Sequence, residues 1–312
     1  MTVAGPSCRR ISCDQVPPRV RGAVEGSLGA AVEEAITQHG GLSPGAAVRL
    51  WLTNGRKAFV KALGANLHRE SDELYRREAA TMPRLPEGLP IPRLLDAYDD
   101  GEWVALVYDE VDGWHPATPW RPAELDLVAG ALADLGAGLQ PTPWPEAPSF
   151  AELNDGILRT WKRLADTPPL GLNPWFGKQL ASMAQRTDLF EVVQGQALLH
   201  ADIGSDNILL TSSGEVFFID WGWTCCGAAW LDAVCFAMTV NAEGGVDTEP
   251  FLRDHPLTHA VESSSIDAVL MALAANYWWM SRQPGPEWLP GTRAHQLACA
   301  EATLRWLQRR IT

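Results

Sequence analysis

Apolar positions along the chain follow two periods, one helical and one strand-like. From Gly22 to Gln38 they recur at Val24, Leu28, Val32 and Ile36, which predicts a single helix ending at Gly40-Gly41. Two β-prone runs follow, Val48–Leu52 and Lys57–Leu63, around Thr53-Asn54-Gly55-Arg56. Asn-Gly between such runs predicts a hairpin with a type I′ turn, in which both central residues take positive φ. Helical spacing returns over Ser71–Met82, with Ser71 or Asp72 as the cap. After Pro90 and Pro92 two further strands are expected, Arg93–Tyr98 and Trp103–Glu110, and Val111-Asp112-Gly113 reads as a crossing segment. Beyond it the pattern is mostly helical: Leu125–Leu139, Phe150–Leu164, Phe176–Arg186, Ala229–Val240, Ile266–Arg282 and Arg293–Arg310. A short-strand region, 197–220, interrupts it.

These elements predict an α+β protein of two lobes, a small β-rich N-terminal lobe (1–111) and a larger helical C-terminal lobe (112–312), with a cleft between them. Residues 1–20, rich in Pro and Arg and without periodicity, are expected to be a loose arm. The 312 residues are ample for a sizeable core. A formal net charge of −13 argues against nucleic acid as a partner and permits attraction of a cationic substrate. No apolar run precedes the first arginines, and the most apolar windows are too short or too interrupted to span a bilayer. A cytoplasmic protein without membrane partners, monomeric or weakly dimeric, is the expectation. The six cysteines form no C-x-x-C pair and are expected as free thiols. Lysine stands only at positions 57, 61, 162 and 178, which makes a lysine inside an apolar strand conspicuous.

Two constellations carry chemistry. The first is Leu199-His200-Ala201-Asp202-Ile203-Gly204-Ser205-Asp206-Asn207, followed by a predicted hairpin (208–219) that ends on Asp220-Trp221-Gly222. The hairpin returns Asp220 beside Asn207. Phosphoryl transfer from a nucleotide needs a carboxylate to orient the acceptor hydroxyl and hard oxygen ligands for Mg²⁺ on the phosphates. Asp202 is suited to the first task, Asn207 and Asp220 to the second. His200 is expected to pack under the loop and hold its backbone, since Asp202 already occupies the place of the base.

The second constellation is Lys61, within the apolar run Ala58-Phe59-Val60-Lys61-Ala62-Leu63. A buried Lys needs an anion, and nucleotide phosphates plus a helix carboxylate would supply one. Glu78 is the best-placed partner, with Glu70 and Glu73 as alternatives. Ahead of the hairpin, Gly40-Gly41-Leu42-Ser43-Pro44-Gly45 could cover phosphates with backbone N–H groups, although it fits neither the Walker A pattern nor G-x-G-x-x-G.

With these motifs in place the chain resembles the aminoglycoside phosphotransferase family, relatives of the protein kinases with the same two-lobed fold. The resemblance runs from Gly40 to about Met238 through the Gly/Ser loop with Ser43, F-V-K, R-R-E-A-A, I-P-R-L-L, H-A-D-I-G-S-D-N-I-L-L, I-D-W-G and A-A-W-L-D. It implies ATP or GTP with Mg²⁺, and transfer of the γ-phosphoryl to a hydroxyl. It also implies that the Asp109 carbonyl and the Val111 N–H grip the base, and that Asp232 braces the catalytic loop. Ala201 stands where the family often has Gly and protein kinases have Arg, and no A-P-E segment follows Asp220. Both departures favour a small-molecule acceptor.

The acceptor itself is left open. Glu243, Asp247, Glu249, Asp254, Glu262 and Asp267 cluster in sequence near Tyr277, Trp278 and Trp279. Carboxylates with aromatic walls suit an aminoglycoside or another amine-bearing compound. The same pattern equally describes a solvated acidic loop packed on core tryptophans. A kinase of a choline-, homoserine- or sugar-type metabolite and a silent nucleotide-binding regulator are the alternatives.

Overall fold

The computed structural model describes residue 8 and residues 10–167, 171–183 and 189–311. Helix α1 (Pro18–Leu28) is followed by an edge strand, β1 (Val32–Thr37), where one long helix was expected. Gly29, at φ +65°, terminates the helix in the left-handed conformation. The misleading signal was Val32 and Ile36: a spacing of four satisfies both a helix turn and two steps along one strand face.

Next come β2 (Ala46–Leu52), β3 (Lys57–Gly64), α2 (Arg69–Thr81), β4 (Leu94–Asp99) and β5 (Trp103–Asp109). The five strands form one antiparallel sheet in the order β1-β2-β3-β5-β4. The β2–β3 hairpin is present, but its turn is not type I′: Gly55 takes φ +80° and Asn54 does not take positive φ. The cap of α2 is His68, whose ring accepts the Ser71 N–H, in place of Ser71 or Asp72.

Pleating gives the sheet two different faces. Ala46, Val48, Leu50, Ala58, Val60 and Ala62 pack with Val20, Val24 and Leu28 of α1 on one side. A cavity of about 590 Å³ lies on that side, lined by Val20, Val24, Val48 and Val60 among others. Lys61 alternates with Val60 and Ala62 and therefore points the other way, toward α2. The expected loose arm is also corrected for its described part. Val16 and Val20 are buried, and the N–H groups of Cys8 and Ile11 donate to the Gly41 and Pro44 carbonyls. Apolar side chains at 16 and 20 explain why this stretch packs; residues 1–7 and 9 lie outside the described residues.

The remaining chain continues through β6 (Gly113–Trp114), α3 (Pro122–Gly138), α4 (Phe150–Leu153), α5 (Asp155–Asp166), α6 (Pro174–Met183) and α7 (Leu189–Val192). The helix expected over 150–164 is two helices broken at Asn154, and positions 184–186 of the next lie outside the described residues. Then follow β7 (Ala197–Leu199), β8 (Ile208–Thr211), β9 (Val216–Phe218), β10 (Cys225–Gly227), α8 (Leu231–Glu243), α9 (Glu249–Asp254), α10 (Ser263–Met280) and α11 (Thr292–Ile311). Strand β8 pairs with β9 as the predicted hairpin and with β6 on its other side, while β7 pairs with β10. A large apolar core joins α3, α5, α8, α10 and α11, and reaches the α2 side of the sheet through Leu63, Leu106 and Tyr108. The described cysteines are free thiols, and no described helix is long and apolar enough to cross a membrane.

Candidate active site

Lys61 reaches across the cleft from β3. Its Nζ donates to Glu78 Oε2 on α2 at 2.6 Å and to Asp220 Oδ1 at 2.5 Å. Tyr108 Oη donates to the other Glu78 oxygen at 2.6 Å. Lys61 is 8% exposed and Glu78 2%, so this pair sits out of water. Burial pulls the Lys61 ammonium down, but the carboxylates of Asp220 and Glu78 outweigh it and hold the ammonium up. Burial pushes the Glu78 carboxyl up against the pull of Lys61, whereas Lys61 holds Asp220 below the usual carboxylate range despite its crowding. Of the three expected partners only Glu78 engages Lys61; Glu73 pairs with Arg69 and Glu70 is exposed.

The second half of the site is irregular backbone. Ala201 has φ +63° and Asp220 has φ +72°, the two non-glycine residues at positive φ among the described residues. That conformation costs an L-residue about 1–2 kcal/mol, so neighbouring groups must enforce it. Asp232, at the start of α8, accepts the N–H of His200 and of Ala201, both at 2.8 Å. The His200 ring donates from Nε2 to the Ile219 carbonyl at 2.8 Å and accepts the Asp202 N–H at Nδ1, 3.3 Å away. Both ring nitrogens are thus engaged with backbone, and burial holds this imidazole down to about 4, neutral at physiological pH. His200 clamps the loop to the hairpin. Burial likewise pushes Asp232 up to about 6, opposed by its two N–H bonds.

Between these clamps the candidate side chains of Asp202 and Asn207 meet. Asn207 Nδ2 donates to the Asp202 carbonyl at 2.8 Å and to Asp202 Oδ2 at 3.1 Å, while the Ile219 N–H donates to the Asn207 carbonyl. Among the described residues no hydrogen bond occupies the Asn207 side-chain oxygen, so it could serve a cation. Asp202 faces the cleft, yet crowding by protein together with the carboxylates of Asp206 and Asp220 pushes its carboxyl well above the usual range. Among the described residues no three His, Cys, Asp or Glu side chains converge as a metal cluster. Asn207 and Asp220 fit Mg²⁺ nonetheless, because this ion is commonly held by one or two protein oxygens plus phosphates and water.

Other expectations fare unevenly. Ser43 Oγ accepts the Gly45 N–H at 3.3 Å, so it closes its own loop. Asp109 ends β5, and its carboxylate pairs with Arg93 at 2.8 Å; Val111 follows where the chain has left the sheet, its carbonyl accepting the Gly113 N–H. The acidic run after 240 does not converge. Glu249 and Asp267 are both held by Arg310, and Asp254 by Arg253. Glu243 is engaged by Ser205 Oγ and Trp120 Nε1, both at 2.5 Å, and so braces the loop that follows Asp202. Arg253 and Asp254 are neighbours in sequence, but Arg310 of α11 comes from 43 and 61 positions away, which nothing in local sequence announces. Asp206 was missed: it shares the charge environment of Asp202 and lies in electrostatic range of His115 and His295. Its place beside Asp202 in the motif was the available signal.

Residues 39–262 match the family model described as the APH phosphotransferase enzyme family. The chain belongs to that family. The solved structures it resembles in fold are small-molecule phosphotransferases of two-lobed, protein-kinase-like architecture. A thermostable mutant of the aminoglycoside phosphotransferase APH(4)-Ia aligns with TM-score 0.60 and 16% identity, over 93% of this chain and 99% of that one. The choline kinase LicA from Streptococcus pneumoniae aligns with TM-score 0.60 and 14% identity, over 92% and 98%. The amicoumacin kinase hAmiN, solved in complex with AMP-PNP, Ca²⁺ and Ami, aligns with TM-score 0.56 and 10% identity, over 91% and 93%. No curated protein matches the chain. In this phosphotransferase, α+β with a five-stranded sheet and a larger helical part, the motif residues of two distant segments stand in one cleft.

Proposed function

We propose that this phosphotransferase moves the γ-phosphoryl of ATP or GTP to the hydroxyl of a small molecule. The observation that carries the reading is the 2.5 Å contact of Lys61 with Asp220, residues 159 positions apart, with Asp220 in electrostatic range of Asp202 in the Asp202–Asn207 pair. In this reading the Asp109 carbonyl and the Val111 N–H hold the base, and the loop containing Ser43 covers the phosphates. Lys61, oriented by Glu78, exchanges its contact with Asp220 for phosphate oxygens. Asn207 and Asp220 would hold Mg²⁺, which would neutralise charge on the phosphates. Asp202 accepts a hydrogen bond from the acceptor hydroxyl, aligns its oxygen for in-line attack and takes the proton as the new P–O bond forms and the bond from the γ-phosphorus to the bridging oxygen breaks, releasing the nucleoside diphosphate. The kinases of similar fold act on aminoglycoside, choline and amicoumacin, which supports a small hydroxyl compound over a protein. The carboxylates of Asp202 and Asp206 together favour an amine-bearing acceptor.

The test is ADP release coupled to a panel of aminoglycosides, macrolides, amino alcohols and sugars, with and without Mg²⁺. Acceptor-dependent turnover that requires the metal, and that Asp220→Ala weakens through the apparent Mg·ATP affinity, is the expected result. Silence across the panel with measurable ATP binding would favour a regulator.

A further inference from the structure

Arg10 lies ahead of the stretch that matches the family model, in the arm that packs along the glycine loop. Its Nε donates to the Gly40 carbonyl at 2.5 Å. A Cβ on Gly41 would run into its Nη2, so Gly41, at φ +79°, is a seat that only glycine can provide. Its Nη1 is buried and has no hydrogen-bond partner among the described residues. A buried guanidinium nitrogen without an acceptor is costly and calls for an anion. The charge of Arg10 also reaches Asp220, where it adds to that of Lys61.

The balance of charge says which anion. Lys61 is already paired with two carboxylates, and Asp202 and Asp206 add two more around the same cleft. A polyphosphate entering such a site needs a further cation on the glycine-loop side. Guanidinium is suited to it, since its fork of donors matches phosphate oxygens.

We infer that Arg10 is a phosphate-binding residue, supplied by the N-terminal arm, which holds the terminal phosphates of the nucleotide against the Gly40–Gly45 loop. This rests on the reading of the cleft as a nucleotide site. The arm then belongs to the nucleotide site, and its docking on the loop presents the guanidinium in advance of binding.

The experiment is a titration of the full chain with Mg·ATP, Mg·ADP, AMP and adenosine, followed by tryptophan fluorescence or calorimetry, for wild type, Arg10→Gln and Arg10→Lys. The expected result is a loss of about 10- to 100-fold in Mg·ATP affinity for Arg10→Gln, the size of one lost charge-assisted contact. Adenosine and AMP should stay within about twofold, and Arg10→Lys should fall between, since it keeps the charge without the fork. Equal losses for adenosine and ATP would overturn the inference in favour of simple loop packing. So would an unchanged ATP affinity in a variant whose wild type binds it. Should the wild type bind no nucleotide at all, the kinase reading fails and the inference with it. Should Arg10→Gln not fold, Arg10→Lys decides: an ATP affinity equal to wild type overturns the inference, and a loss confined to the phosphorylated ligands upholds it.

Discussion

The two walls of the cleft hold their charged groups by opposite means. In the small lobe, Lys61 and Glu78 project from the middle of a strand and a helix, both buried, and each satisfies the other. In the large lobe, Asp202 and Asp220 stand on loops, face the cleft, and follow or occupy left-handed backbone that Asp232 and His200 must enforce. Regular elements place a permanent charge cheaply, because their backbone hydrogen bonds are already made. Side chains that must meet a substrate need exposure and unusual directions, which only irregular backbone gives, and that backbone needs its own buried braces.

Asp202→Ala separates the walls most sharply. Phosphoryl transfer should fall by about 10²- to 10⁴-fold while Mg·ATP affinity and the melting temperature stay near wild type. A collapse of nucleotide binding instead would put Asp202 on the wrong wall. Glu78→Ala should act in the opposite sense, lowering stability by about 3 kcal/mol in urea titrations, the low end for a broken buried pair because Asp220 still holds Lys61. A change below 1 kcal/mol would mean that the pair is solvated.

The His200 brace has a pH signature. Its folded value is depressed to about 4, so as pH falls below the ordinary imidazole value of 6.5 the unfolded chain takes up a proton that the folded chain refuses. Stability from this group is present above 6.5 and is lost as pH falls toward 4. Asp232, raised to about 6, runs the other way over much of that window and flattens the wild-type profile. The destabilisation caused by His200→Gln should therefore shrink by about 2 kcal/mol between pH 7 and pH 4.5. A penalty independent of pH would contradict a neutral buried ring. The smallest effect belongs to Ala201→Gly, which should stabilise by about 1 kcal/mol or less, since relief of the left-handed conformation is partly offset by chain entropy. Destabilisation beyond that would mean that the Ala201 methyl packs more strongly than its backbone strains.

Much of this architecture was legible in the chain. The β2–β3 and β8–β9 hairpins, α2 and the long helices α10 and α11 follow from local periodicity and turn residues, which act over a few positions. The motif around Asp202 was equally readable, because chemistry demands particular side chains at short spacing. Elements failed where two periods coincide, as at Val32 and Ile36, or where a strand is only three residues long, as in β10. The arm failed for a different reason, since Arg10 gains its meaning from Gly41, thirty-one positions away.

Residue types and short-range spacing were enough for the two-lobed class, the Asp202–Asn207–Asp220 constellation and the pairing of Lys61 with a carboxylate on the following helix, for each depends on contacts within one element or between neighbouring ones. Tertiary structure alone handed Glu249 and Asp267 to Arg310, turned Glu243 into a brace on Ser205, and set Arg10 on the glycine loop. Long, flexible charged side chains find partners by proximity in space, and proximity between distant segments is fixed only when the cores have packed.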